Sequence, residues 1–127
     1  MSQEDQLNNV RQQWYAAYFA GDIGKLSQLE LPGFTYISVQ GIEDTSTRYH
    51  TVKQRLLDQN WFPSTVNRED VSTSYQFVGD VCYVTGEGRI NLTPELGHNR
   101  YMSELWQFSQ QHGWQILSLH ASVIPAK

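Results

Sequence analysis

The chain has 127 residues, enough for one domain that buries roughly two-thirds of the surface its unfolded form would expose, and no second core is needed. Thirteen acidic against nine basic side chains give a net charge of −4, and without any run of Lys or Arg the electrostatic footprint of nucleic-acid binding is missing. The single Cys82 excludes an internal disulfide, no His or Cys cluster has metal-ligand spacing, and no segment has the apolar length of a membrane span; with its polar, acidic start the chain is expected to be cytoplasmic, without a dedicated metal site.

Residues 3–20 read as an amphipathic helix, because Leu7, Val10, Trp14, Ala17 and Tyr18 recur at three- and four-residue intervals while Gln, Asn and Arg take the other side. Ser2 and Asp5 mark its start and Gly21 its end. Asp22 caps a short second helix over 23–29, which Pro32 and Gly33 terminate, and the β-branched and aromatic run 34–39 follows as a strand closed by Gly41. A weaker helical pattern over 46–60 places Tyr49, Val52, Leu56 and Leu57 on one side, with Trp61, Phe62 and Pro63 as an apolar exit.

After Pro63 the period changes to two. Val71, Thr73, Tyr75 and Phe77 alternate with polar residues, Gly79-Asp80 turns, and 81–92 returns as the second arm of a long hairpin. Pro94 and Gly97 mark a loop; 100–109 and 114–124 then form another hairpin about His112-Gly113. Helices gathered in the first half and antiparallel strands in the second predict an α+β fold with helices on one face of a strongly curved sheet, able to enclose a pocket against the first helix. Gly86 and Gly88 on one strand leave that face without side-chain bulk and permit a bend, or simply relieve crowding.

The segments Trp14-Tyr-Ala-Ala-Tyr-Phe-Ala-Gly-Asp22, 34–41, Tyr83-Val-Thr-Gly86, Arg100-Tyr101, Leu105-Trp106, Gly113-Trp114 and His120-Ala-Ser-Val-Ile-Pro125, in this order and spacing, resemble the NTF2-like superfamily, in particular its small SnoaL-like and DUF4440-type members. The resemblance implies one cone-shaped barrel domain over 1–127, paired through its sheet as a homodimer. The closing segment is also similar to the association domain of calcium/calmodulin-dependent protein kinase II, an oligomeric hub. Against ketosteroid isomerase, which shares the architecture, Trp14 stands at the oxyanion-hole tyrosine, Ser38 at the catalytic base and Glu104 at the protonated acid, so the base is missing and that chemistry is disfavoured. The hub's pocket arginines fall near Gly88 and Glu104, which predicts a neutral or acidic pocket.

Glu104 is the candidate at the centre. Met102, Glu104, Trp106 and Phe108 share one face of a strand, so the carboxylate is expected to point toward the enclosed side; it is a pocket acid that contacts a ligand, an ion-pair partner of Arg100 or Arg89, or a carboxylate at a solvated edge. Trp14, Tyr18, Tyr36, Ser38, Gly86, Gly88, Met102 and Trp106 complete the expected pocket, an apolar-aromatic space of roughly 300 Å³ or more reached by Glu104 and Trp106. Arg48, Arg89 and Arg100 are anion contacts or ion-pair partners, and the spacing does not discriminate. His120 faces away, because Leu117, Leu119, Ala121 and Val123 occupy the opposite side of its strand, and Cys82 reads as buried packing. Three functions follow: a small-molecule-binding domain; an isomerase, cyclase or dehydratase using Glu104 as acid or base; or a non-catalytic assembly module. None implies a cofactor.

Overall fold

The computed structural model describes residues 2–93 and 96–124. Pro94, expected in the loop before Gly97, and Pro125 of the closing segment lie outside the described residues. Helix α1 runs Gln3–Ala20, α2 Ile23–Leu29 and α3 Thr45–Leu57; the strands are β1 Glu30–Ser38, β2 Gly41–Asp44, β3 Asn67–Val78, β4 Val81–Asn91, β5 Gly97–Ser109 and β6 Gly113–Val123. They form one six-stranded sheet in the order β2-β1-β6-β5-β4-β3, antiparallel except where β1 runs parallel to β6. The α+β expectation holds, as an open curled sheet with the helices against one face.

The helix ends follow from local chemistry. Ser Oγ of residue 2 accepts from the Asp5 amide at 3.1 Å, and Gly21 closes α1 in the left-handed conformation at φ 70°. Asp22 caps α2 through the Lys25 amide. Asp44, outside the expected helix, caps α3 by accepting from Thr47 at 2.8 Å and thereby starts it at Thr45. The backbone amides of that cap hold the Asp44 carboxyl below the ordinary carboxylate range.

Several expectations shift by tertiary pairing. The second helix has the expected bounds, but β1 starts at Glu30 instead of residue 34, so Pro32 and Gly33 lie inside it, and it makes an irregular step against β6 between Glu30 and Thr35. At Gly41 the chain turns back as β2, a four-residue strand that short-range periodicity gave no sign of. Val71 faces solvent, because the β3–β4 register slips between Asp70 and Ser72; Arg68 and Asp70 precede the bulge on the inner side, and Thr73, Tyr75 and Phe77 follow it. A second bulge, at Leu117, puts Ile116 into the core with Leu119. Leu57 is exposed, leaving Arg48 and Val52 as the buried side of α3.

The core lies between α1 and the sheet. Leu7, Trp14 and Ala17 meet Phe34, Val84, Met102, Trp106 and Ile116, and fully burying apolar side chains of this size contributes about 2 kcal/mol each. Arg11, assigned by the sequence reading to the polar side of α1, is fully buried at the centre of this layer.

Candidate functional site

Glu104 does face inward and is fully buried, as the alternation of β5 requires. Its partner is neither Arg100 nor Arg89. Arg11, on the facing turn of α1, donates Nε to Oε1 at 2.7 Å and Nη2 to Oε2 at 2.9 Å, a two-point grip on the carboxylate. The Tyr15 hydroxyl, one turn along the same helix, donates to Oε2 at 2.6 Å, and the Trp106 indole donates to Oε1 at 2.8 Å. Four donors leave this acid with no vacant direction toward a ligand.

The network extends to β3. Arg11 Nη1 donates to Asp70 at 2.9 Å, Arg68 also pairs with Asp70, and the Arg68 guanidinium lies 3.9 Å above the Tyr15 ring. Two arginines and two carboxylates balance. Burial alone would lower the Arg11 pKa, but its bonds to Glu104 and Asp70 outweigh that and raise it above its ordinary value. Burial would likewise raise Asp70, yet Arg11 and Arg68 hold it below the usual carboxylate range. Burial and the Glu104 charge push the Tyr15 hydroxyl well up, so it stays a donor.

A second buried acid repeats the arrangement. Glu30, at the start of β1, accepts from the Trp14 indole at 2.9 Å, from Arg48 Nη1 at 3.1 Å and from the Tyr49 hydroxyl at 2.6 Å. Arg48 lies 4.8 Å over the Phe34 ring. Each acid therefore takes one arginine, one tyrosine and one tryptophan.

Two adjoining spaces open beside these clusters. An inner chamber of about 90 Å³ is walled by Trp14, Tyr18, Ile90, Met102 and Leu119, with Gly88, Arg68 and Arg100 in its lining. Tyr18, Tyr36, Arg100 and Ala121 line both this chamber and a vestibule of about 210 Å³, whose other walls include Ser38, Glu43, Arg48 and Arg55. A third space, an apolar groove of about 650 Å³ between α1 and residues 61–68, shares Tyr15, Phe19 and Arg68 with the chamber.

Of the residues expected at a pocket, Trp14, Tyr18, Tyr36, Gly88 and Met102 line the chamber and Ser38 lines the vestibule. Glu104 and Trp106 stand behind the lining, where Arg11 and Tyr15 fill the space in front of them, so the expected space of roughly 300 Å³ reached by both is corrected to a chamber of about 90 Å³ that neither lines. Gly86 is also outside it; a side chain there would meet the Ser72 backbone carbonyl across the β3 bulge. The lining carries Arg68 and Arg100, so the expected neutral or acidic pocket is corrected to a basic one. Arg68 reaches it because Gly88, on the paired strand, has no side chain to occupy that volume.

Sequence reasoning missed Arg11, Tyr15, Glu30, Tyr49, Arg68 and Asp70. For Arg11 the signal was present, since it follows Leu7 by four residues and precedes Trp14 by three, which places it on the apolar stripe. His120 is exposed on the face away from the helices. Cys82 is buried and burial raises its thiol pKa, which leaves it unreactive. Among the described residues no group of three His, Cys, Asp or Glu side chains could hold a metal ion, and no helix is long and apolar enough to cross a membrane.

The fold matches solved structures along nearly its whole length. A calcium/calmodulin-dependent protein kinase II hub from S. rosetta is similar with a TM-score of 0.80 at 14% identity, covering 98% of this chain and 98% of that one. An NTF2-like protein from Cytophaga hutchinsonii gives 0.78 at 13% identity, over 98% and 100%. An NTF2-like family protein from Streptomyces avermitilis with a provisional dehydratase assignment gives 0.71 at 18% identity, over 96% of each. At such identities the likeness is one of fold. No curated protein matches the sequence. The model of the SnoaL-like domain matches residues 7–127, and the chain belongs to that family.

Proposed function

We propose that this SnoaL-like domain binds a small organic molecule between α1 and the sheet, with an apolar group in the inner chamber and the remainder in the vestibule. The observation that carries this reading is the pair of adjoining spaces, one walled mainly by aromatic and aliphatic side chains and the other by polar ones. A chamber of about 90 Å³ has room for one ring or a short branched alkyl group, and Glu104 acts as the buried tie between helix and sheet. A neutral phenyl probe, 3-phenylpropanamide, tests it by titration calorimetry. Binding by the wild type and its loss in Ala121→Phe, which fills the shared wall, is the expected outcome; equal binding by both proteins defeats the assignment.

The domain pairs with a second copy through the sheet face away from the helices. Cross-strand rows there run Tyr83, Leu105, Ser118; Thr85, Ser103, His120; and Glu87, Tyr101, Ser122, an aromatic and hydroxyl surface with one carboxylate. Charge depletion with exposed aromatics is the composition of an interface centre. The structural likeness to kinase hubs fits self-association. Sedimentation equilibrium is expected to give a dimer that Leu105→Arg splits. A wild-type monomer at every concentration ends this reading.

A further inference from the structure

Resting on the binding reading above, we propose that the ligand is a carboxylic acid with a small apolar or aromatic body, its carboxylate held by Arg100 at the junction of chamber and vestibule. Arg68 is paired with Asp70 and Arg48 with Glu30, so neither guanidinium is available as a full charge. Arg100 differs. Its Nη1 donates only to its neighbour's carbonyl, on Asn99 at 3.3 Å, and no carboxylate among the described residues forms an ion pair with it.

Its position makes that charge matter. Arg100 lies opposite Gly88 on the paired strand and lines both spaces, so a molecule passing from vestibule to chamber passes it. Half burial strengthens an attraction that water would otherwise screen. Tyr18 and Tyr36, which line the same junction, have hydroxyls without a hydrogen-bond partner among the described residues, and burial together with Tyr36 raises the Tyr18 pKa, so it remains a donor. Arg55, exposed on α3 with no ion pair among the described residues, adds a second cation at the vestibule wall against the acid Glu43. A planar carboxylate accepts two parallel bonds from a guanidinium and takes a third from a phenol. The apolar walls beyond leave no polar partner for a second charged group, which selects a monoacid with a greasy end.

The test is a matched pair of probes, 3-phenylpropanoate and 3-phenylpropanamide, titrated calorimetrically into the full chain. The wild type is expected to bind the acid about tenfold tighter than the amide, the worth of a charge-assisted hydrogen bond, with the acid's affinity falling as salt is added and the amide's unchanged. Arg100→Met should erase the preference, so that the acid binds no tighter than the amide, and Arg100→Lys should restore part of it. Equal affinities in the wild type, or a preference that persists in Arg100→Met, overturn the acid assignment and leave the pocket standing. Should Arg100→Met fail to fold, the wild-type salt dependence decides: an acid affinity indifferent to salt refutes it. Binding of neither probe removes the pocket reading itself, and this inference with it.

Discussion

Replacing Arg11 by methionine removes the cation from a fully buried pair while keeping a side chain of similar length. Glu104 would then keep only the Tyr15 and Trp106 donors, and Asp70 would lose its inner partner but retain Arg68. Removing one member of a buried ion pair costs about 3–5 kcal/mol, because the charge left behind is uncompensated, and domains of this size have about 5–15 kcal/mol in total. The melting temperature should fall by about 10 °C or more. Urea unfolding followed by tryptophan emission measures the loss directly, since Trp14, Trp106 and Trp114 are all buried in the native state. Arg11→Met combined with Glu104→Gln removes both charges and should recover about 2 kcal/mol relative to the sum of the single variants. A loss below about 1 kcal/mol for Arg11→Met, or strict additivity in the double variant, would refute the claim that this pair is strongly coupled.

Asp70 should govern part of the acid limb. Its native pKa is depressed, so its contribution is fully present above the unfolded value of about 3.9 and is lost as pH falls through the lower native value. Stability measured against pH should therefore drop below about pH 4 in the wild type and drop less in Asp70→Asn; parallel curves would contradict this. The two strand glycines should behave differently. Gly86→Ala forces a methyl against the Ser72 backbone and should cost more than about 2 kcal/mol, whereas Gly88→Ala meets the guanidinium end of Arg68, which must shift against Asp70 and Tyr15, and should cost less than Gly86→Ala while altering probe binding. Tyr49→Phe removes the 2.6 Å bond to Glu30 and should cost about 1.5 kcal/mol in the same urea assay, with no change signifying that Arg48 and Trp14 already satisfy the acid.

What could be read from the sequence was what short-range chemistry decides. The Ser2 and Asp22 caps, the Gly21 stop and the Gly79-Asp80 turn each depend on residues within a few positions of one another. The β3 bulge is different: nothing within 67–78 marks Val71 as the extra residue, and only pairing with β4 brings Arg68 and Asp70 inside. The same holds for Leu117 against β5. Parity on β5 correctly turned Glu104 inward, but its partner Arg11 lies 93 positions away on a helix face where an arginine reads as solvent-facing by default. Tyr18, Tyr36 and Met102 were legible as an aromatic and apolar inventory. That Arg100 joins them without an ion pair among the described residues depends on how six other charges pair with one another.

The two buried acids bear on the site although neither lines the chamber. Helix α1 supplies Arg11 and Tyr15 to Glu104 and the Trp14 indole to Glu30, so its inner face is fixed to β5 on one side and to β1 on the other. Such ties are directional where hydrophobic contact is not, and they set the rotation of α1 about its own axis and hence the pose of Trp14 and Tyr18 as chamber walls. Both carboxylates are also matched by their own arginines, which removes them as counter-ions for anything in the cleft. Arg100 lines the junction without an ion pair among the described residues. Among the described residues the scaffold pairs its buried charges with one another and holds its aromatic walls by the same bonds, the preorganisation that the proposed carboxylate ligand would use.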